Sequence, residues 1–490
     1  MPRVLKVAVL GAGPAGSSTA IALRRAGCEV VLIDPDGSSL TGEAVRLGTS
    51  RAAVGGGNGF ARAAALAYGS AGVAGQPLAR RGSIAAATAP SGRPDAGSSF
   101  AQTETSGPSG AVGPRGNRET TDSSRAASFS TGSPRGAGEP GPSADAPFDP
   151  DLPRAAGEPA PPAMAGPSFR NGAPHAPGES VPPPIAGALA RLGLSTAALD
   201  RDHLRSLGTA SAWGAPGLRY RDYLHDGLGP GWHLDRPRFD RMLRAAAVAA
   251  GAVLVQDRWS SARRTAEGWS LTCHRTRLTA DVVVAATGRR AAFGTAQGAR
   301  RCFADRLVGV AATVPGPDAR RHVILESAEN GWWYASPQPG GRLTLALLSD
   351  ADLVRREGWA RPPGWLAALR ETRHLDLPPD EPSLTVRDAR SHLLTPSAGR
   401  GWIAAGDAAM ALDPLSSAGV TLAIESGLAV ADLIASGHVD SIRHRQQLRR
   451  RFDAYLRQRR EVYRAEQRWE SPFWTRRREG AVEARHLVLR

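Results

Sequence analysis

Three features of the sequence predict an α/β fold that combines a Rossmann-like domain, a β-rich domain and a C-terminal helical segment. The motif GAGPAG at 11–16 lies between a predicted strand at 4–10 and a predicted helix at 14–26. A second strand–turn–helix pattern spans 401–427. The runs RLVGVAATV, HVILES, GWWYASP and RLTLALLS all fall within 301–350 and are typical of strands. We therefore expect a doubly wound sheet beside a β-rich domain.

The first strand and helix are followed by CEVVLID, a second strand that ends at Asp34. The composition then changes to Gly, Ala, Ser, Pro and Arg over 41–177, where large apolar residues are rare. Such a segment cannot bury enough surface to offset its loss of conformational entropy. We expect 41–177 to be a disordered, low-complexity insert, which is either a lineage-specific insertion or the product of a mis-assigned reading frame.

Order is expected to resume at about residue 178. Helices are predicted over 185–192 and from DRPRFDRML to Gly251, where glycine suits the end of a helix. The strands AVLVQ, WSLTCH and ADVVVAATG follow, and a further helix is predicted over 352–372. The predicted boundaries are 1–40, 178–300 and 392–437 for the three parts of the Rossmann-like domain, 301–391 for the β-rich domain and 438–490 for the basic C-terminal helical segment.

The composition excludes several classes of protein. No run of about 18 apolar residues occurs, so no membrane-spanning helix is expected. The cysteines Cys28, Cys273 and Cys302 are too few and too scattered for a disulfide framework or a zinc site. This pattern favours a reducing, cytoplasmic location and no bound metal. The formal net charge is +15, and Lys6 is the only lysine in the chain.

The positive charge is concentrated near the C-terminus. Residues 441–490 contain fifteen arginines against six acidic residues, a local charge of +9. Two interpretations stay open, namely a solvated, partly docked basic helix or a face that attracts an anionic or peptide partner. No nucleic-acid-binding motif accompanies the arginines, so no nucleic-acid partner is expected.

The motif GAGPAG predicts a dinucleotide site. Gly11 allows the tight turn, Gly13 lets the backbone approach a pyrophosphate, and Gly16 lets the helix pack closely on the strand. The helix N-terminus then offers N–H donors to the phosphates. Asp34, at the end of the second strand, is placed to bind ribose hydroxyls. This motif alone does not distinguish FAD from NAD.

The second pattern, GWIAAGDAAMALDPLSSAGVTLAIESG, favours a flavin. A buried strand delivers Gly406 and Asp407, and an acidic residue at a strand end can accept hydrogen bonds from ribityl hydroxyls. Pro414 and Gly419 flank a turn before the last helix of this pattern. The N-terminus of that helix, near 417–420, can stabilise negative charge on a reduced isoalloxazine.

The motifs GAGPAG, RPRFDRML, VVVAATGR and GDAAMALDPLSSAG resemble those of the FAD-dependent monooxygenase superfamily of the p-hydroxybenzoate hydroxylase type. Within it, GESVPPP, GWWYASP, DPLSSAG and YRAEQRWESPFW are similar to the branch of tryptophan halogenases and geranylgeranyl reductases. The resemblance is strongest to LodB- and QhpG-like flavoproteins that mature peptidyl quinone cofactors. Both TGEAVR and PGESVP look like the family's GES motif. We prefer the second, with Gly178 and Glu179, because a helical pattern follows it.

The resemblance implies FAD as the cofactor. The glycine-rich loop would hold the pyrophosphate and Asp34 the adenosine ribose. Arg236, which begins an R-x-x-F-D-x-x-L pattern, would contact another part of FAD. Asp407 would hold the ribityl chain or the pyrophosphate, and 414–419 would lie beside the flavin ring. The complete predicted set is Gly11, Gly13, Pro14, Ala15, Gly16, Asp34, Arg236, Gly288, Gly406, Asp407, Pro414, Ser417 and Gly419.

The stretch GWWYASP makes Trp332, Trp333 and Tyr334 either substrate-binding residues or core residues of the β-rich domain. Tryptophan halogenases carry the motif W-x-W-x-I-P and a catalytic lysine. Here Tyr334 and Ser336 replace the second tryptophan and the isoleucine. Lys6 lies in the first strand, from which it cannot reach a substrate cavity, and arginine is not nucleophilic because it stays protonated. Halogenation is therefore disfavoured.

The leading expectation is an FAD-dependent monooxygenase that hydroxylates an aromatic or peptidyl substrate through a C4a-hydroperoxyflavin, since the cofactor carries the difficult step. The alternatives are a reductase or dehydrogenase of an unsaturated, prenyl-type substrate and a non-catalytic flavoprotein partner. No catalytic residue is assigned. His225, His233 and His392 are candidate proton shuttles that could equally be structural. No second intact dinucleotide motif is visible, so we expect NAD(P)H to bind transiently or a separate flavin reductase to supply electrons.

Overall fold

The computed structural model of the protein describes residues 4–35, 179–227, 229–316, 321–440 and 442–479. The predicted insert at 41–177 and the candidate residue Gly178 lie outside the described residues. Within the described stretches, no helix combines the length and the apolar character that crossing a membrane requires.

The described residues form ten α-helices and twenty-two strands, together with short 3-10 turns. The helices α1 to α10 are Pro14–Arg25, Ile185–Arg191, Ala197–Asp202, Arg236–Ala249, Ala292–Ala296, Ala351–Arg356, Pro362–Arg370, Gly419–Ala435, Ile442–Arg464 and Pro472–Glu479. The strands β1 to β22 are Lys6–Leu10, Glu29–Asp34, Glu179–Val181, Leu204–Ser206, Gly208–Ala212, Arg219–Asp222, Gly231–Leu234, Val253–Gln256, Trp259–Thr265, Gly268–Cys273, Arg277–Ala280, Val282–Ala285, Arg300–Phe303, Leu307–Pro315, His322–Ala328, Gly331–Gln338, Arg342–Asp350, Thr385–Asp388, His392–Thr395, Ala398–Gly399, Trp402–Ala404 and Met410–Ala411.

The helix expected over 352–372 is two helices, α6 and α7. Gly358 separates them with φ +67°, a left-handed conformation that ends a helix. Pro362 then begins α7, where its fixed φ and missing N–H are tolerated. Glycine and proline in this short stretch therefore override the apolar periodicity.

A six-stranded sheet, in the order β20–β21–β12–β1–β2–β8, forms the Rossmann-like part. Its central strand β1 is buried along most of its length, and Val9 pairs with Leu32 on one side and Val284 on the other. The strands from β21 to β8 are parallel, so their carboxyl ends share one edge of the sheet. They come from three stretches of chain that are far apart in sequence.

Helices α1 and α8 pack closely on each other. A Cβ on Gly427 would collide with the carbonyl oxygen of Ala15, so glycine is needed for this close approach. The hydroxyl of Thr19 also donates to the carbonyl of Gly427 at 3.2 Å. This packing places the N-termini of both helices at the carboxyl edge of the parallel sheet.

The second large sheet runs in the order β18–β14–β17–β16–β15–β5–β6 and is antiparallel except between β15 and β5. It therefore includes 208–222, which the predicted boundaries of 301–391 leave outside the β-rich domain. Because successive side chains alternate between the two faces of a sheet, each strand serves two environments. One face packs against α7, where the rings of Trp333 and Trp365 lie 5.0 Å apart.

Helices α9 and α10 dock through buried ion pairs as well as apolar contacts. Arg459 Nε lies 3.1 Å from Asp413 Oδ2, and its Nη2 lies 3.0 Å from Asp305 Oδ2. Arg477 Nη2 lies 2.8 Å from Asp350 Oδ1. A buried charge is costly unless it is paired, so these arginines are neutralised inside the protein. The inner face of α9 therefore agrees with the interpretation of the C-terminal segment as a partly docked basic helix.

Candidate active site

A cavity of about 800 Å³ lies at the carboxyl edge of the parallel sheet and extends to the seven-stranded sheet. All the predicted cofactor residues except Gly16 and Gly406 contribute to its wall. Those on the wall are Gly11, Gly13, Pro14, Ala15, Asp34, Arg236, Gly288, Asp407, Pro414, Ser417 and Gly419.

The glycines of the turn between β1 and α1 have different roles. Gly11 has φ +103°, and a Cβ there would collide with the carbonyl oxygen of Ala286. A Cβ on Gly16 would collide with the carbonyl oxygen of Gly11, so Gly16 allows the helix to pack on the turn. A Cβ on Gly13 would meet no heavy atom within 4 Å. The turn therefore presents bare backbone to the cavity at Gly13, next to the N-terminus of α1.

Asp34 lies on the cavity wall, whereas Gly406 supports a neighbouring turn. Asp34 Oδ2 accepts a hydrogen bond from the backbone N–H of Ala12 at 2.6 Å. Gly406 has φ +60°, and a Cβ there would lie 2.6 Å from the Cβ of Ala15. Gly406 therefore allows the turn after β21 to pack against α1 and does not line the cavity.

Arg236 is the centre of a charged cluster at the start of α4. Its Nη1 lies 2.5 Å from Glu179 Oε2, and its Nη2 lies 3.3 Å from Asp240 Oδ1. Burial opposes the charge on Arg236, yet the two carboxylates raise its pKa above the ordinary value. Burial also raises the pKa of Asp240. The Nε of Arg236 is buried with no hydrogen-bond partner among the described residues.

Polar groups also converge beyond the ends of β12 and β21. Arg289 Nε lies 3.4 Å from Asp407 Oδ2, and burial raises the pKa of Asp407 despite this arginine. The hydroxyl of Thr287 is buried and unpartnered within the described part of the chain. A buried donor without an acceptor costs free energy unless a ligand or water satisfies it. The free groups on Thr287 and Arg236 fit a ligand with several oxygen acceptors, such as FAD.

The segment between β22 and α8 forms a further wall. The carboxylate of Asp413 accepts from the backbone N–H of Leu415 at 3.0 Å, at the start of a 3-10 turn over Pro414–Ser416. Ser417 follows in a left-handed conformation, with φ +48°. Helix α8 then begins at Gly419, and its first N–H groups have no partner within the helix. The positive end of the helix therefore lies at the cavity.

The seven-stranded sheet forms the floor of the cavity with small side chains. Gly309 pairs with Leu348, and Ala311 pairs with Ala346. These residues line the cavity together with Tyr334, which pairs with Ala346 on the next strand. Burial raises the pKa of Tyr334 to about 12, so its phenol stays protonated at neutral pH. The small side chains therefore leave space above this sheet, and Tyr334 contributes a phenolic hydroxyl to the floor.

Comparison with known proteins reveals relatives of the chain. Over 285 residues it is 27% identical to LodB of Marinomonas mediterranea, which is named as an FAD-dependent oxidoreductase, and the match covers 55% of this chain and 77% of LodB. The peptidyl tryptophan dihydroxylase QhpG matches 97% of this chain and 79% of its own, with a TM-score of 0.57 and 19% identity. The flavin-dependent halogenase CmlS matches 99% and 71%, with a TM-score of 0.58 and 15% identity. No protein-family model matches the chain.

The chain is similar to the FAD-dependent oxidoreductase LodB. The predicted family resemblance and the assignment to flavoprotein oxidoreductases are thereby confirmed. The likeness to QhpG and CmlS, at 19% and 15% identity, confirms the predicted fold class.

In this oxidoreductase, the three consecutive aromatic residues of β16 lie in three different environments. Tyr334 is on the cavity wall, whereas Trp333 points to the opposite face of the sheet and packs on Trp365. Trp332 is fully buried, and its Nε1 donates to the hydroxyl of Tyr463 at 3.0 Å. Contrary to the predicted substrate contact, Trp332 and Trp333 are core residues. Side chains of β16 alternate between the two faces of the sheet, so Trp333 faces away from the cavity, and α9 packs over Trp332.

The three candidate proton shuttles do not line the cavity. The ring of His233 lies 3.1 Å from Ser336 Oγ and 3.1 Å from the carbonyl oxygen of Arg321. His392 is buried in β19. Burial lowers the pKa of both histidines to about 4, so both are neutral at pH 7. His225 lies in a short 3-10 turn away from the cavity wall. His233 and His392 are therefore structural residues.

Sequence reasoning missed several residues of the cavity wall, including Asp240, Arg387 and Asp413. The spacing of four residues between Arg236 and Asp240 on a helix was a usable signal, because residues i and i+4 share a helix face. Arg387 gave no signal, since only the strand register places it opposite Gly309.

Proposed function

We propose that the protein binds FAD in the half of the cavity formed by the parallel sheet. The N-terminus of α1 and the bare backbone at Gly13 suit the pyrophosphate, and the N-terminus of α8 suits the negative charge of a reduced flavin ring. Asp34 would bind the adenosine ribose, and Asp407 the ribityl chain. The unpartnered Nε of Arg236 would gain an acceptor, and the turn at 414–419 would lie beside the flavin ring.

We further propose that the enzyme is a monooxygenase that hydroxylates an aromatic or peptidyl substrate. The observation that carries this proposal is the continuity of the cofactor half of the cavity with the floor of small side chains. When bound, reduced FAD supplies the activation of oxygen. The residues Gly309, Ala311 and Ala346 would hold a flat ring and keep water away from it, and Tyr334 would orient it with its phenol. The name of QhpG, a peptidyl tryptophan dihydroxylase, supports this substrate class.

Halogenation is less well supported, although several structural neighbours are halogenases. The catalytic lysine that the family resemblance requires has no counterpart at the cavity. Lys6 starts β1, at the end of the sheet opposite the cavity. Its Nζ lies 3.9 Å from Glu29 Oε2, and more than half of its side chain is exposed. A lysine there cannot reach a substrate on the floor.

The proposal is tested with one flavin-loaded preparation and a synthetic tryptophan-containing peptide. We expect anaerobic NADPH or NADH, or an added flavin reductase, to bleach the flavin absorbance. Isotopically labelled O₂ should then place labelled oxygen in the peptide, measured by mass spectrometry with bromide present. A brominated peptide without labelled oxygen would indicate a halogenase, and a product formed without O₂ from an unsaturated prenyl substrate would indicate a reductase. Failure to bind FAD would contradict the whole proposal.

A further inference from the structure

Helix α9 is connected to the cavity through one carboxylate. Asp413 lines the cavity, but its side chain is completely buried. Its Oδ2 lies 3.1 Å from Arg459 Nε and accepts the hydroxyl of Tyr463 at 2.8 Å. Its Oδ1 accepts from the backbone N–H of Leu415. A single side chain therefore joins α9 to the turn that precedes α8.

Tyr455 makes a second connection, this time to the backbone. Its hydroxyl accepts from the N–H of Asp413 at 2.8 Å and lies 2.6 Å from Ser391 Oγ. Burial raises the pKa of Tyr455 to about 12, so the phenol keeps its proton and can donate it to Ser391. The side chain and the backbone of Asp413 are thus both held from the same helix.

Tyr463 extends the network into the seven-stranded sheet. Trp332 Nε1 donates to the hydroxyl of Tyr463, and that hydroxyl donates to Asp413. Burial raises the pKa of Tyr463 well above its ordinary value, so it remains a donor. Hydrogen bonds in such a dry interior strengthen one another and are costly to break. The network therefore resists movement of the turn relative to the floor of the cavity.

We propose that α9 positions the turn at 414–417 for the reaction in the cavity. Tyr455, Arg459 and Tyr463 are the positioning residues, and none of the three lines the cavity. The inference rests on the proposed function, which places the flavin ring beside this turn. Because the carboxylate and the N–H groups of the turn are held in place, the electrostatic surroundings of the ring are set before substrate binds.

The test compares the full-length chain with Tyr463→Phe and Tyr455→Phe, which each remove one hydroxyl. Arg468→Gln is the control, because Arg468 binds Glu466 in the same C-terminal segment and does not contact the turn. The first measurement is hydrogen–deuterium exchange over 410–420 without any cofactor. We expect exchange about tenfold faster in both tyrosine variants, as for the loss of one hydrogen bond to a charged or backbone group. The control should match the wild type.

The second measurement is the visible spectrum and midpoint potential of bound FAD in the same proteins. We expect both quantities to shift in the tyrosine variants and to stay unchanged in Arg468→Gln. Unchanged exchange in both tyrosine variants would contradict the proposal that α9 holds the turn in place. An altered exchange with an unchanged spectrum and potential would overturn the role in the reaction. If the wild type takes up no FAD, the proposed function fails and this role fails with it, whereas the exchange result still shows whether α9 holds the turn.

Discussion

Neighbouring residues of one motif serve different parts of this molecule. Gly13 and Gly16 are three positions apart in the same glycine-rich turn, yet Gly13 borders the cavity and Gly16 allows the helix to contact the turn. Tyr334 and Trp333 are adjacent, yet they lie on opposite faces of one strand. The environment of each position therefore predicts the effect of a substitution better than its membership of a motif.

Gly13→Val is expected to abolish FAD retention while the fold is preserved. The backbone at Gly13 has φ −72°, which valine adopts without strain, and the added side chain meets only the cavity. Gly16→Val is the contrasting variant, and we expect it to lower the free energy of unfolding by about 3 kcal/mol or more because of overpacking. Flavin absorbance per mole of protein and the urea midpoint distinguish the two. A Gly13→Val protein that carries a full complement of FAD would contradict the assigned site.

At the scale of the elements, strand register and helix ends create the site. The register of β14, β17 and β16 brings small side chains together as the floor. The ends of β1 and β21 present turns that lead into α1 and into the segment before α8. Neither α1 nor α8 has an acidic residue in its first turn, so their positive ends are available to an anionic ligand.

Ala311→Leu tests the floor of the cavity. The larger side chain should fill the space above the small residues and suppress substrate-dependent oxygen uptake at least about tenfold, since a misplaced substrate loses the near-attack geometry. FAD content should not change, because Ala311 lies in the other half of the cavity. Thr313→Leu, on the same face of the same strand but exposed and off the cavity wall, is the matched control. Equal activity in both variants would argue against substrate binding on this floor.

At the scale of the whole molecule, the site depends on chain segments that are distant in sequence. The parallel sheet draws its strands from 6–34, 253–285 and 402–404. The C-terminal helices α9 and α10 contact the rest of the protein through Arg459 and Arg477, which form ion pairs with buried carboxylates. Stability and site geometry are therefore coupled across the molecule.

Stability should fall in mildly acidic solution. Burial lowers the pKa of four histidines to about 4, whereas the ordinary value is 6.5; they are His203, His233, His392 and His444. Between these two pH values the unfolded chain binds more protons, so the free energy of unfolding decreases as pH falls, by up to ~3 kcal/mol for each histidine. Carboxyls whose pKa burial raises act in the opposite direction and reduce the total; they are Asp240, Asp407 and Glu425.

Urea unfolding at pH values of about 7, 5.5 and 4.5 measures this effect. We expect the free energy of unfolding to drop steadily across the series. In His233→Gln the free energy of unfolding should depend less on pH, because the glutamine side chain does not titrate in this range. A stability that is constant over this range would show that the four histidines are not held neutral.

Deletion of 45–172 is expected to leave the thermal midpoint and the FAD content unchanged. The composition of this stretch offers little apolar surface to bury. Pro35 and Glu179, the described residues on either side of 36–178, both lie on the cavity wall. The measurement is a thermal melt together with the flavin absorbance of the purified protein. Loss of either one would show that the deleted stretch supports the folded core.

Local chain properties were enough to predict the α/β class and the two turns that face the cavity, and most of the residues singled out in those turns line its wall. These features depend on short-range chemistry, namely glycine at a tight turn, apolar strands and helix N-termini. The roles of Trp332, Tyr334 and Arg387 depended instead on which strands pair and in which register. The hold of α9 on Asp413 likewise required the packing of segments more than forty residues apart. Contacts of this kind leave no periodic signal in a single sequence, so only the tertiary structure could reveal them.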